Sequence, residues 1–551
     1  MVTASSFPAV LAACAMLIRA STCQSTDAER CRYLPTDAEW PSNRVWNELN
    51  TTVGGRLIST IPLAAVCHDP IYDAVKCEAI RNDWVFPLTQ PCELGNYVGY
   101  SINASSAADI AAGVKFAKEN NIRLVIKNTG HDFLGRSTGT GGLGIWTHNL
   151  RESQVFPAYR SQAYNGPAIK LGAGTRAFEA LNVAHDNGLR VISGNCPTMG
   201  VVGGYLLGGG SGPLSSFHGM AADQTLEFEV VTAAGDTIVA SPTENTDLYW
   251  ALSGGGGGTY GVVVSVTIRA FEDGRIGGAS LSFSRQNVST GTVYTMMEDL
   301  IDAVPALIDA GMQFGWTITR TAFSLGPITA PGFTVEQLRA AMGPFTTKLN
   351  ESGIEYQLDV TSFPTYKDHF EHYLGPTPAG IYRADAMAGS RLIPRESLAA
   401  NRTALAQAAR NITENSFSIV TFIAANNTES PTKQPIAPNA VVPQWRRAAI
   451  LALVTLPWNF TIPHDEMLGR QRDLQQSVVP QLRNVVPSDA GTYLNEAEVG
   501  NENWKQDFFG ENYDRLLEIK RAHDPADLFY AEYAVGSDAW YRAPEGRLCR
   551  A

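Results

Sequence analysis

The sequence predicts an α+β fold in two parts, and three patterns predict it. From about Tyr97 to Phe271, short strands alternate with helices and are separated by glycine-rich loops. From about Glu272 to Pro487, the glycine density falls and longer strand and helix patterns take over. Beyond that stretch a clear helical period returns in ENYDRLLEIKRAHDPADLFY. A chain of 551 residues, 44% hydrophobic and 17% charged, has ample material for a large core, and two large domains fit its length.

The elements follow in order. Ser106 and Asp109 read as a helix start, with Ile110, Val114 and Ala117 on one face. RLVIK, Arg123 to Lys127, is a short buried strand broken by NTGHDFLGRSTGTGG, and AIKLGAG is the next strand. TRAFEALNVAHDNG is a helix with Gly188 past its end, and LRVIS is another strand. LEFEVVTAAGDTIVAS reads as a hairpin, and TDLYWALSGGGGGTYGVVVSVTIRAF as a short helix, five glycines and a strand. In the C-terminal helix, Tyr513, Leu516, Leu517 and Lys520 step at helical spacing, and Asp524-Pro525 ends it. SFPTYKDHFEHYLG, Ser362 to Gly375, is either an amphipathic surface helix or part of a substrate pocket.

A net charge of −12 excludes a nucleic-acid role and disfavours an anionic membrane surface, because no basic stripe is present to meet phosphates. The first residues, SSFPAVLAACAMLIRASTC, read as a secretory signal over residues 1–23, cleaved near Ala20 to Cys23. Asn50, Asn103, Asn287, Asn350, Asn401, Asn411, Asn426 and Asn459 each begin an N-x-S/T sequon, which agrees with a glycosylated protein that is secreted or held in a secretory lumen. No later apolar run spans a bilayer. Cys14 leaves with the signal. Cys23, Cys31, Cys67, Cys77, Cys92 and Cys549 are the candidates for disulfides, with Cys549 able to close the termini together. Cys196 stands apart, at the mouth of GNCPTMGVVGGYLLGGGSG.

Known site chemistries narrow the reading. GAGTRA, Gly172 to Ala177, has the dinucleotide-fingerprint shape but lacks the acidic residue expected about twenty positions on. The glycine runs contain no G-K-[ST], so a P-loop is excluded. His131, His148, His185 and His218 show no metal-ligand spacing, and no G-x-S-x-G is present. What remains is a set of glycine loops, with His131 in one and Cys196 in another. Such loops suit a large flat cofactor with a pyrophosphate, since glycine amides cradle phosphates. Taken alone, His131 reads better as a hydrogen-bonded loop histidine and Cys196 as a buried free thiol.

RLVIKNTGHDFLGRSTGTGGLGIWTHNL and GNCPTMGVVGGYLLGGGSGPLSSFHGMAADQTLEFEVVTAAGD resemble the FAD-binding domain of the vanillyl-alcohol-oxidase superfamily, in its berberine-bridge-enzyme-like branch. TDLYWALSGGGGGTYGVVVSVTIRAF and NYDRLLEIKRAHDPADLFYAEYAVGSDAW extend the resemblance, and WNELNTTVGGRLISTIPLAAVCHDPIYD is similar to fungal isoamyl alcohol oxidases. The resemblance implies a PCMH-type two-subdomain FAD-binding domain over 24–271, to which 488–551 returns. It also implies a substrate domain over 272–487, with an antiparallel sheet covered by helices. It implies bicovalent FAD, held by His131 at the 8α-methyl carbon and Cys196 at C6. Asn128, Gly130, Asp132, Phe133, Gly135, Thr198, Gly200, Gly203, Gly204, Gly261 and Asn495 are the other implied cofactor-binding residues, and no metal is expected. The implied reaction is oxidation of an alcohol by hydride transfer to flavin, with O2 as acceptor. A dehydrogenase, an oxidative cyclase and a catalytically silent flavin-binding protein are the alternatives. YLNE, Tyr493 to Glu496, resembles the Y-x-N segment of this branch, with Tyr493 and Glu496 as candidate bases. Tyr493 reads equally as a core tyrosine. The oligomeric state is not legible.

Overall fold

The computed structural model describes residues 31–83, 93–381, 386–430 and 433–551. The expected signal segment, Cys14, Cys23 and Cys92 lie outside the described residues. The fold is α+β. The helix Ala107–Glu119 starts where the Ser106 hydroxyl accepts from the Asp109 amide at 3.3 Å, as its sequence predicts. Ile110, Val114 and Ala117 bury fully beneath a four-stranded sheet in the order Leu57–Ser59, Tyr100–Asn103, Leu143–Trp146, Leu124–Lys127. The last three strands are mutually parallel.

A second sheet, antiparallel throughout, runs Ser153–Arg160, Asn165–Gly172, Val262–Arg269, Thr225–Val231, Thr237–Ala240. The expected hairpin closes at Thr232, whose amide donates to the Asp236 carbonyl at 2.9 Å. LRVIS is shorter than expected. Only Leu189–Arg190 pairs, with Phe271–Glu272, and the chain then turns away to form the approach to Cys196.

The third sheet has seven antiparallel strands, ordered Gln357–Phe363, Ile276–Ser284, Ala322–Pro331, Phe314–Ile318, Ile419–Ala424, Ala448–Pro457, Ala386–Pro394. The helices Thr290–Asp309, Val335–Glu351 and Arg395–Asn415 cover one face, burying Val293, Met297, Ile301, Leu338, Leu405 and Ile412 against Trp316, Phe422 and Val454. Its other face turns towards the glycine loops.

The segment Ser362 to Gly375 forms the expected amphipathic helix, Tyr366–Tyr373: Asp368 and His372 are exposed, whereas Tyr366, His369 and Phe370 are buried, and Tyr366 and Phe370 join the core of the glycine-loop part. It does not line the cavity described below. The helix serves as a joint between the two parts. The chain past Pro487 returns to the first part, where Phe508, Phe509, Leu516 and Ile519 complete the same core. Two disulfides form, Cys31–Cys549 and Cys67–Cys77, and Cys196 is the free cysteine among the described residues. Among those residues no helix is long and apolar enough to cross a membrane.

Candidate active site

A cavity of ≈ 740 Å3 lies between the glycine loops and the open face of the seven-stranded sheet. Its first wall begins where Leu124–Lys127 ends. The C-terminal ends of parallel strands are where open α/β sheets receive ligands, because the connecting loops diverge there. Asn128 follows directly. Its Nδ2 donates to the Ala173 carbonyl and to Thr147 Oγ1, while its Oδ1 is buried with no protein partner. The loop then carries His131 to the cavity and closes on the Asp132–Arg136 ion pair, 2.6 Å apart.

The second loop brings Cys196 to the same wall. Thr198 joins the two, its Oγ1 lying 2.9 Å from His131 Nε2 and 3.3 Å from Cys196 Sγ. Two side chains 65 positions apart therefore meet at one hydroxyl. Partial desolvation lowers the His131 pKa, so its ring is neutral and nucleophilic near neutrality. The chain next makes the tight turn Val201–Tyr205. A Cβ on Gly200 would lie 2.0 Å from Asn128 Oδ1, so only glycine lets these loops approach. A Cβ on Gly204 would meet nothing within 4 Å and would project into the cavity.

The C-terminal return supplies the floor. Tyr493 is buried, and its hydroxyl accepts from Asn495 Nδ2 at 3.0 Å and from the Ser211 amide at 3.4 Å. Burial, with the nearby Glu496 carboxylate second, pushes its pKa up, so the phenol keeps its proton. Glu496 faces the cavity from deep in the fold, and its Oε2 is buried without a partner. Burial pushes its pKa up to about 7.

Asn128, Gly130, His131, Asp132, Phe133, Cys196, Gly200, Gly203, Gly204, Gly261, Tyr493, Asn495 and Glu496 all line this cavity. Two expected residues do not. Gly135, at φ +72°, serves the turn of the histidine loop, and Thr198 sits behind the wall, where it holds His131 and Cys196. Asp132 lines the wall with its carboxylate already committed to Arg136. The motifs did not flag Tyr205, whose buried hydroxyl lacks a partner at the cavity edge, or Tyr530 and Ala531. His148, His185 and His218 lie elsewhere, with His218 stacked on Phe271 at 3.6 Å. Among the described residues no group of three or more His, Cys, Asp or Glu could hold a metal. The residues present fit a large flavin cofactor. An imidazole and a thiol share one edge, Gly204 leaves room that a side chain would fill, and a buried amide oxygen awaits a donor.

Comparison with known proteins agrees with that fit. Residues 100–241 match the FAD binding domain family, and residues 492–536 match the family described as berberine and berberine like. The chain is 40% identical over 580 residues to a bifunctional decalin synthase of Penicillium decumbens, covering 99% of this chain and 100% of that one. It is 40% identical over 548 residues to an FAD-linked oxidoreductase of Aspergillus clavatus, covering 95% of each. The crystal structure of a VAO-type flavoprotein from Myceliophthora thermophila C1 superposes with a TM-score of 0.89 at 39% identity, covering 95% of this chain and 100% of that one. Motifs, fold and site thus converge: the chain is an FAD-linked oxidoreductase and belongs to the berberine-bridge-enzyme-like branch of the vanillyl-alcohol-oxidase superfamily.

Proposed function

We propose that this protein oxidises an alcohol to the carbonyl, with the flavin held by two covalent bonds and O2 as final acceptor. One alcohol and one dioxygen then give one carbonyl compound and one hydrogen peroxide. The observation that carries the reading is the placement of His131 and Cys196 on one wall of a cavity whose floor holds the unpartnered carboxylate of Glu496. With its Nε2 engaged by Thr198, His131 presents Nδ1 as the bond-forming nitrogen, and Cys196 offers its sulfur beside it. Bound there, FAD supplies the hydride acceptor and passes the electrons on to oxygen. The chain supplies position and proton transfer. Glu496 Oε2 takes the hydroxyl proton as the carbinol C–H is cleaved. The Tyr493 hydroxyl, fixed by Asn495 and Ser211, orients the substrate oxygen. A carboxylate with its pKa at about 7 suits base catalysis near neutrality better than a phenol held above its ordinary range.

Largely distinct cores support a division into FAD domain, 24–271 with 488–551, and substrate domain, 272–487, the second sending Tyr366, Phe370 and Leu374 into the core of the first. Two disulfides support a secretory route. Sequon Asn287, Asn350 and Asn411 are exposed and open to glycosylation, whereas Asn401 and Asn426 commit their side-chain amides to Val485 and Asp309.

The test is the denatured chain. Flavin fluorescence and an FAD mass increment stay with the wild-type polypeptide and with each of His131→Ala and Cys196→Ala, and only the double variant releases all flavin. A colourless denatured wild-type chain overturns the two-bond reading. The decalin synthase relative favours one second reading, oxidative cyclisation. Peroxide released in equimolar amount with a carbonyl product, rather than a ring-closed one, decides against it.

A further inference from the structure

We propose that the substrate chamber is built for an aliphatic, largely hydrocarbon alcohol and excludes sugars. This rests on the reading that the glycine-loop side of the cavity takes the flavin. The opposite wall is the open face of the seven-stranded sheet, and its register fixes which side chains face inward. Along Ile419–Ala424 the half-buried positions Ile419, Thr421 and Ile423 face the cavity, while Val420, Phe422 and Ala424 are buried towards the helices. On the neighbouring strand, Leu451, Leu453, Thr455 and Pro457 do the same. Thr421 pairs with Leu453 on one side and Thr317 on the other, Ile423 with Leu451, and Ile419 with Thr455. The result is a patch of branched aliphatic groups interrupted by Thr421 and Thr455.

The polar side chains on this wall are Gln313, Thr317, Thr329, Thr421 and Thr455, and the first four bond within the protein, Gln313 to the Ser215 amide and Thr329 to His369. Thr317 Oγ1 and Thr421 Oγ1 bond each other at 3.0 Å. Among the described residues, no charged side chain reaches the cavity from this sheet. Phe314 borders the cavity, but its ring is buried and stacks with Trp316 at 6.1 Å, as Trp316 does with Phe422 at 5.1 Å, in the helix-covered core, so little ring face is left for a sugar to stack on. The ionisable groups of the cavity lie across from it, where Asp132 and Arg136 neutralise each other and Glu496 marks the reacting end. A sugar ring would press hydroxyl groups against isoleucine and leucine without partners, and each such group weakens binding about tenfold. A hydrocarbon chain on the same wall gains about threefold to fourfold per buried methylene.

The experiment uses the holoenzyme and calorimetry, so that it reads binding and not turnover. The probes are tertiary alcohols of increasing chain length, which lack a carbinol hydrogen and cannot be oxidised, with cellobiose alongside. Affinity rises about threefold to fourfold per methylene until the wall is covered, and cellobiose gives no heat. Ile423→Asn and Leu453→Asn flatten the slope while the denatured variants keep their flavin, and Thr455→Val steepens it. A flat slope, or cellobiose binding above the alcohols, on a chain that carries flavin overturns the proposal. A steep slope on a chain that carries no flavin overturns the oxidase reading instead and leaves the hydrocarbon wall standing.

Discussion

Glu496 shows what a single residue gains from its surroundings. In water its carboxyl would ionise below pH 5, and at the cavity floor burial holds it to about 7. In the proposed role of base it must be ionised, which predicts that kcat/KM rises with pH below about 7 and levels off above. In Glu496→Gln the plateau drops about 10²–10⁴-fold and the limb disappears. A variant within tenfold of wild type, with the limb unmoved, removes Glu496 from the chemistry. Stability moves the other way. Below pH 4 the carboxyl is neutral folded and unfolded, so the substitution changes nothing. Between the unfolded value and about 7, the unfolded chain loses the proton while the folded chain keeps it, and the buried group destabilises wild type increasingly as pH rises. Above about 7, Glu496→Gln is the more stable protein by about 1–3 kcal/mol. At this scale the sequence showed His131 and Cys196 through their motifs. It could not show Thr198 as their common partner, nor the burial that raises the pKa values of Glu496 and Tyr493, because both depend on contacts between distant segments.

Among the elements, the turn Val201–Tyr205 separates the two ways a glycine can matter. At Gly200 a side chain would collide with Asn128, whereas at Gly204 it would enter the cavity. Gly204→Val therefore leaves the thermal stability of the flavin-free chain within about 1 kcal/mol, since it fills no occupied space, but it blocks flavin uptake, read as lost flavin absorbance at 1:1 protein. If Gly204→Val carries full flavin, the turn is not part of the cofactor floor. Local patterns gave the helices and hairpin well, because Ser106 caps its helix and the alternation in Thr225–Val231 and Thr237–Ala240 is visible in the residues themselves. They failed where tertiary contacts decide. LRVIS stops after two paired residues, since its partner among the described residues is the two-residue Phe271–Glu272, and the amphipathic pattern of Tyr366–Tyr373 gave the helix but not which core takes its apolar face. The order of the seven-stranded sheet, and hence its aliphatic wall, needed strands far apart in sequence to be paired.

Across the whole molecule, the first described residues are fastened beside the C-terminal ones, and the site draws on that arrangement. Cys31–Cys549 joins residues 518 apart. The Arg32 amide donates to the Leu548 carbonyl at 2.8 Å, and Arg547 grips Asp37 through both guanidinium nitrogens, at 2.5 and 2.8 Å. Further in, Phe529 bridges to Leu124 on the strand that leads to Asn128. This returning segment carries Tyr493, Asn495, Glu496 and Tyr530 into the cavity, so floor and flavin wall come from opposite ends of the chain. A crosslink over so long a loop acts mainly on the unfolded chain, by limiting how far its ends can separate. Replacing both cysteines, Cys31→Ser with Cys549→Ser, is therefore expected to cost about 2–5 kcal/mol and to lower the melting temperature by several degrees. Flavin content and the pH dependence of kcat/KM stay as they are, because Arg547–Asp37 and the core contacts of Phe508, Phe509 and Leu516 still seat the return. Limited proteolysis locates the effect, with cleavage of the double variant appearing first beyond residue 488. If the double variant melts with the wild type and resists protease equally, the disulfide is incidental and the buried contacts alone hold the floor of the site in place.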